Sequence, residues 1–461
     1  MTREQRLILT IAILGSFVSF LDSTLANVAL PAIRDELGGG LSAQQWIVDA
    51  YLITLGALIL IAGALSDAFG RLRVLRWGLI GFGLTSAAIA VAPTVEIVIA
   101  LRAAQGAAGA LLVPSSLALI MANFKDAAQA RAIGTWTGWT SVASLIGPLI
   151  GGGFIDLVSW RAAFAVNLLP IAVSLWLLSR LEQRDVRHEG ASVDLASAVL
   201  VVVGLGGVVF ALIEQGTFGW AHPAIWAPFV GGAIALVLFV RRQSHVAHPV
   251  LPLGLFTSRN FSWGNLATTF IYAALYLSGF IIVVYLQQAA GWGATAAGLA
   301  LIPSSIALVA LSSLVGKLAG RLGPRLFMTA GPLVMAAGFL WMLAVAEPID
   351  YWTQLLPGAI VFGLGLTLTV APLTSAILGA VETSRSGIAS AVNNAVARIA
   401  GLVAVALVGT IVGERLDLVG LHRGLIVCAV LCAVGGVVSW VGIRNPGASG
   451  TQGVDRSHAA A

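Results

Sequence analysis

The chain has 461 residues, of which 58% are hydrophobic and only 10% are charged, whereas soluble domains usually carry about 25% charged residues. Its mean hydropathy is +0.96. This balance excludes a water-soluble globular protein and indicates an all-α polytopic membrane protein. The net charge of +5 does not indicate a nucleic-acid partner, because the arginines stand singly between apolar stretches, which suits orientation in a membrane.

Apolar stretches long enough to cross a bilayer recur fourteen times. A spanning helix needs about 20 mainly apolar residues to cross a hydrocarbon core of about 30 Å. The predicted spans lie at roughly 7–31, 43–65, 75–93, 97–122, 132–157, 161–181, 194–213, 223–241, 262–287, 295–318, 326–346, 353–378, 384–412 and 421–443. An even number of spans places both termini on one side, and most basic residues fall in the segments of that side. The positive-inside rule therefore predicts cytoplasmic termini.

A segment rich in glycine and arginine occurs twice, each time directly after an apolar span. GALSDAFGRLR at 63–73 returns as GKLAGRLGPRL at 316–326, and a duplicated membrane bundle is the build of a secondary transporter. Eight predicted spans separate the two copies, where a plain twelve-helix duplication would have six, so two helices are inserted. The sequence predicts an N-terminal six-helix bundle at 1–183, two inserted transmembrane helices at 184–248, a C-terminal six-helix bundle at 249–444 and a disordered cytoplasmic tail at 445–461.

The first copy of this segment has the residues of a conformational latch. Gly63 and Gly70 permit close helix approach and a tight turn. Asp67 is placed to accept hydrogen bonds from Arg71 or from a neighbouring helix amino end. Such a cluster would hold this face in one conformation. The alternative is that the basic residues here only fix the topology.

Asp22 lies well inside the first predicted span. A carboxylate at that depth is expensive, so a functional role is the default hypothesis. Burial would let Asp22 exchange protons near neutral pH, as a proton-coupled transporter requires. The alternative is a structural hydrogen bond to Thr24 or to a neighbouring helix.

Further polar residues are grouped with Asp22 as candidate proton-coupling or substrate residues. Arg102 in the fourth span is predicted to share a polar network with Gln105 and the first helix, with a purely structural role as the alternative. Asp49, near the outer end of the second span, faces a cavity mouth or lies in an interface. Asn27 on the first span completes the group.

Two other spans carry residues of interest. In the fifth span, Gly147, Pro148, Gly151 and Gly152 kink and thin the helix, which would let it pivot against a helix of the other half. In the thirteenth span, Arg398 follows two asparagines and is predicted to be a structural polar anchor of the second half.

These segments together resemble the major facilitator superfamily. GALSDAFGRLR is similar to the signature between its second and third helices, and the fourteen-span layout resembles the drug:proton antiporter branch. LDSTLANVALPAI, QWIVDAYLI, LRAAQGAAGALLVPSS and GPLIGG resemble that branch as well. The resemblance implies a major facilitator fold, and it adds Gly134 to the four residues of the fifth span as an antiporter motif. The implied function is multidrug efflux, by a proton-coupled antiporter that exports amphipathic drugs, antibiotics or lipophilic cations from the cytoplasm.

Two alternatives stay open on the residues alone. One is a dedicated transporter of a single metabolite, such as an amino acid, sugar or siderophore. The other is an intramembrane enzyme or a passive channel, although clustered His, Cys or paired acids with catalytic or metal spacing are lacking. No GxxxxGK[ST] loop occurs, so no nucleotide cofactor is expected and transport must run on a gradient. The protein is expected to be a monomer in the cell (inner or plasma) membrane. Its expected partners are small amphipathic substrates, protons and membrane lipids, and no nucleic acid is expected.

Overall fold

The computed structural model describes residues 1–181, 194–246, 249–382, 385–413 and 416–445, without the side chains of residues 67, 127, 130 and 144. Fourteen helices in these ranges are long and apolar enough to span a membrane, which confirms the predicted number. The chain is therefore a multi-pass membrane protein. The predicted disordered tail lies outside the described residues apart from Asn445.

The helices are named in chain order. They are α1 (Arg3–Leu37), α2 (Gly40–Phe69), α3 (Arg71–Ala90), α4 (Val95–Asn123), α5 (Asp126–Leu157), α6 (Trp160–Ser179), α7 (Leu195–Phe218), α8 (Pro223–Gln243), α9 (Arg259–Gln288), α10 (Ala294–Leu322), α11 (Pro324–Ala344), α12 (Tyr351–Leu378), α13 (Ser386–Ala406) and α14 (Leu418–Gly442). Two of these spans are interrupted: α6 consists of Trp160–Ala165 and Leu168–Ser179, and α10 of Ala294–Leu299 and Ile302–Leu322. Short helical turns at Leu253–Thr257 and Val408–Val412 precede α9 and follow α13.

The helices pack as two bundles with an added pair. Within the first six helices, α4 packs against α1, α2 and α3, and α1 packs against α5. Within the last six, α9 packs against α13 and α14, and α12 packs against α10 and α11. Helices α7 and α8 pack against each other, and α7 also contacts α2 and α13. This arrangement confirms the predicted fold class. The predicted boundaries at 183/184 and 248/249 touch segments outside the described residues.

Because the number of spans is even, α1 begins and α14 ends on the same side of the bundle. We call this side the terminal face and the opposite side the distal face. On the terminal face, Asp194 caps α7 by accepting a hydrogen bond from the Ser197 amide at 3.1 Å. The Arg242 guanidinium of α8 donates to the same carboxylate at 3.0 to 3.2 Å. The ends of the inserted pair are thereby held together.

The duplicated segment adopts the same turn in both copies. Gly70 connects α2 to α3 with a φ of 96°, and Gly323 connects α10 to α11 with a φ of 87°. Both values lie in the left-handed region, where a residue with a Cβ is strained. The repeat in the sequence thus corresponds to a repeated backbone geometry, which explains the glycine at each position.

Replacing Gly70 with alanine is expected to lower the free energy of unfolding by about 1 to 2 kcal/mol, because the added Cβ disfavours the left-handed conformation. The measurement is the thermal unfolding midpoint of the purified protein in detergent. Gly206→Ala is the matched control, since Gly206 lies in helical backbone of α7 with nothing within 4 Å of an added Cβ. Equal midpoints for the two variants would contradict the strain at Gly70.

Candidate functional site

Asp22 lies in the middle of α1 and is completely buried inside the first six helices. Its Oδ2 accepts a hydrogen bond from Arg102 Nη1 on α4 at 2.6 Å. Its Oδ1 accepts hydrogen bonds from Asn167 Nδ2 on α6 at 2.9 Å and from Gln105 Nε2 at 3.3 Å. The sequence presented Asp22 as an isolated acid, whereas the structure gives it one cation and two amide donors. Three helices therefore meet at this carboxylate.

Arg102 connects this cluster to α2. Arg102 is 1% exposed, and its Nε donates to the Ile47 carbonyl at 3.1 Å. The guanidinium lies 4.2 Å from the centroid of the Tyr51 ring, a cation–π distance. The predicted sharing of a network by Arg102, Gln105 and α1 agrees with these contacts. The Arg102 guanidinium therefore contacts α2 as well as α1.

Two residues of the cluster were not singled out from the sequence. Asn167 sits at the interruption of α6, and Ser86 on α3 accepts hydrogen bonds from Gln105 at 2.8 Å and from Asn167 at 3.4 Å. Both side chains are fully buried. Their only signal in the sequence is a polar residue within an apolar span, and many such residues are structural. The polar cluster therefore draws on four helices of the first bundle.

Asp49 on α2 is the second buried acid. It is completely buried, and neither carboxylate oxygen has a hydrogen-bond partner among the described residues. Gln45 and Gly56 lie on the same side of α2 and contact α13. Gln45 Nε2 donates to the Val405 carbonyl at 2.7 Å. The turns of α2 on either side of Asp49 therefore pack against α13 of the other half.

Asn27 is half-buried on α1. It shares a side of the helix with Phe20 and Thr24, both also half-buried, whereas Asp22 points into the first bundle. The structure therefore does not bring Asn27 together with Asp22.

The residues of the predicted latch are only partly described. Gly63 is exposed, and no described atom lies within 4 Å of an added Cβ there. Arg71 Nη1 donates to the Ala118 carbonyl of α4 at 3.2 Å. The Asp67 side chain lies outside the described part of the chain. The latch stays a prediction. The turn between α2 and α3 at Gly70 is the part of this segment whose backbone geometry is described.

The residues of the predicted antiporter motif on α5 face two different helices, α1 and α10. Gly147 and Gly151 face α1, where an added Cβ would meet Thr24 and Leu25. Gly152 faces the other half, and its added Cβ would lie 2.5 Å from the Thr295 Cα of α10. Pro148 also lies against α10, because an added Cβ at Gly298 would lie 2.9 Å from the Pro148 Cβ. Gly134, nearer the terminal face, has no atom within 4 Å of an added Cβ.

Hydrogen bonds join the two halves at the distal face. Arg34 Nη1 at the end of α1 donates to Gln288 Oε1 at the end of α9, at 2.5 Å. The Asp156 carboxylate at the end of α5 accepts from the Ala294 and Thr295 amides at 2.8 and 2.9 Å, and so caps α10. The distal ends of α1 and α5 are therefore bound to the second bundle.

The fold and the buried polar cluster define a membrane transporter built from two bundles. Residues 12–404, and in a second match residues 264–460, agree with the family model of the Major Facilitator Superfamily. The chain belongs to the Major Facilitator Superfamily and is a transporter, not an enzyme.

Its relatives include named resistance and export proteins. The chain is 32% identical over 421 residues to the multidrug resistance protein Stp of Mycobacterium tuberculosis (strain CDC 1551 / Oshkosh), covering 90% of this chain and 78% of Stp. It is 33% identical over 408 residues to the methylenomycin A resistance protein of Bacillus subtilis (strain 168), covering 88% and 87%. It is 29% identical over 415 residues to the multidrug export protein EmrB of Escherichia coli (strain K12), covering 89% and 81%.

Solved structures agree with the fold. A crystal structure of the peptide transporter POT in complex with sulfate matches with a TM-score of 0.70 and 14% identity, covering 95% of this chain and 94% of that chain. At this identity the likeness concerns the fold alone.

Proposed function

We propose that this protein is a proton-coupled antiporter that exports amphipathic drugs, antibiotics or lipophilic cations from the cytoplasm by alternating access. The terminal face is then cytoplasmic, as the distribution of basic residues favours. The hydrogen bonds at the distal face belong to a state that is closed to the outside. Drug export is supported by the relatives named for multidrug resistance, methylenomycin A resistance and multidrug export.

Proton coupling rests on one observation, the presence of two fully buried carboxylates in the spans of the first bundle. Asp22 is held by Arg102 in an ion pair. Asp49 has neither a cation nor a hydrogen-bond donor among the described residues. A buried anion without a partner is very costly, and taking up a proton removes that cost. Asp49 is therefore the proton carrier of the distally closed state.

The segment of α2 around Asp49 connects the two acids. Two residues before Asp49, the Ile47 carbonyl accepts a hydrogen bond from Arg102. Two residues after it, the Tyr51 ring lies against the same guanidinium. A shift of α2 that exposes Asp49 must also move the contacts of Arg102, and hence disturb its ion pair with Asp22. Proton transfer at Asp49 and rearrangement at Asp22 are thereby coupled through one helix.

The test is proton flux in liposomes that contain the purified protein. Adding amphipathic cations or neutral drugs to vesicles with a pH gradient is expected to release protons in the direction opposite to drug movement, and protein-free liposomes are the control. Drug flux that is indifferent to the pH gradient would overturn proton coupling and support a channel. Transport of one metabolite and no drug would support the dedicated transporter instead.

Replacing Asp49 with asparagine is expected to reduce drug uptake driven by a pH gradient by at least about tenfold, because an amide does not take up the coupling proton. Exchange of labelled for unlabelled drug, which needs no net proton movement, is expected to persist. Gradient-driven uptake at the wild-type rate would remove Asp49 from the mechanism.

Asp194→Asn is a matched control for removing a carboxylate. The hydrogen bonds from Arg242 lower the pKa of Asp194 from 3.8 to about 2. The stability from this pair is therefore complete above pH 3.8 and is lost as the pH falls towards about 2. Between about pH 5 and 8 the carboxylate stays ionised, so the pH profile of transport by Asp194→Asn is expected to match that of the wild type. A shifted profile, measured in the same liposome assay, would show that the inserted pair contributes to coupling.

A further inference from the structure

Arg398 on α13 is a buried cation without an acidic partner in the part of the chain that the structure describes. Its side chain is 9% exposed, and none of the ion pairs among the described residues includes it. Its Nε is buried without a hydrogen-bond partner. Arg102, by contrast, is held by an acid, an amide and a carbonyl. An ionisable side chain within a membrane span usually lines a substrate or ion pathway.

The position of Arg398 is central. Its Cβ lies 3.7 Å from the position of a Cβ added at Gly56 on α2, so it sits where the two bundles meet. The phenol groups of Tyr51 on α2 and Tyr272 on α9 lie within electrostatic range of its guanidinium. One helical turn towards the terminal face, Asn394 is exposed. The cation thus stands between both halves, close to an exposed polar side chain.

We propose that Arg398 binds the carboxylate of amphipathic acids, which makes acidic drugs a cargo class of this transporter. This inference rests on the proposed export function. A guanidinium binds a carboxylate through two parallel hydrogen bonds, and a cargo carboxylate would supply the partner that Nε lacks in the structure. The half-buried Tyr272 ring on α9 provides apolar surface for the rest of such a molecule.

The experiment compares an amphipathic carboxylic acid with its own methyl ester. Binding of each compound to the purified protein in detergent is measured by isothermal titration, which requires no pH gradient. Wild-type protein is expected to bind the acid at least about tenfold more tightly than the ester, and Arg398→Gln is expected to remove that preference while retaining ester binding. Arg398→Lys, which keeps the charge without the planar fork, is expected to fall between the two.

Arg241→Gln is the matched control, because it removes an exposed arginine from the last turn of α8 in the inserted pair, and the preference for the acid is expected to survive. Equal binding of acid and ester by the wild type would overturn the proposal, as would an unchanged preference in Arg398→Gln or an equal loss for both compounds. Misfolding, which would also abolish ester binding, is detected as a lower thermal midpoint when Arg398→Gln is compared with Arg398→Lys. A folded Arg398→Lys variant that retains the full preference for the acid also contradicts bidentate binding. A failure of proton coupling in liposomes leaves these binding results intact, so the two proposals fail separately.

Discussion

Replacing Asp22 with asparagine is expected to abolish uphill export while the protein still inserts into the membrane. Asparagine carries no negative charge, so it does not neutralise Arg102, which is 1% exposed, and it removes the ion pair through which α1 is linked to the segment of α2 around Asp49. Removing one partner of a buried ion pair typically costs about 3 to 5 kcal/mol. We therefore expect both a lower thermal midpoint and a loss of pH-gradient-driven drug uptake in liposomes of at least about tenfold.

The double variant Asp22→Asn/Arg102→Gln separates coupling from stability. It removes both charges, so the thermal midpoint is expected to recover relative to Asp22→Asn, whereas uphill export stays absent. Ser23→Ala serves as the neighbouring control, since the Ser23 hydroxyl donates to the Ser19 carbonyl of its own helix. Gradient-driven export by Asp22→Asn at the wild-type rate would remove this acid from the coupling mechanism.

The number of helices was predictable because a spanning helix leaves a long apolar run that needs no tertiary information. The interruptions of α6 and α10 were not predicted. The sequence at 161–181 and 295–318 reads as two continuous spans, since each break covers only two residues and brings no charge. Asn167 lies at the break in α6 and donates a hydrogen bond to Asp22. The interruption of α6 therefore coincides with a contact of the polar cluster.

The candidate site was predictable where its residues share one helix face. Arg102 and Gln105 are three residues apart, so they project from the same side of α4 and were expected to act together. A partner on α1 is expected because a cation within an apolar span needs an acid or carbonyl groups. The contribution of Asn167 depends on how α6 docks, and the burial of Asp49 depends on how the neighbouring helices pack against α2. Neither docking is encoded in the periodicity of a single span.

Gly152→Leu is expected to prevent closure of the distal face. The backbones of α5 and α10 approach so closely at Gly152 that an added Cβ would lie 2.5 Å from the Thr295 Cα. Overpacking of this kind typically costs about 1 to 3 kcal/mol, which is roughly a fivefold to 150-fold loss in the population of the closed state relative to the open one. Alternating access needs both states, so export is expected to fall in proportion.

The control for this variant is the next residue along α5. Gly153 has nothing within 4 Å of an added Cβ, so Gly153→Leu adds the same volume without separating the two helices. Spin labels at Arg34→Cys and Gln288→Cys, whose native side chains are hydrogen-bonded across the distal face, report the opening as a distance distribution. The distribution is expected to lengthen in Gly152→Leu and to stay short in Gly153→Leu. If both variants kept the short distance, the contact at Gly152 would not control the closed state, and the kinked α5 would serve packing within its own bundle alone.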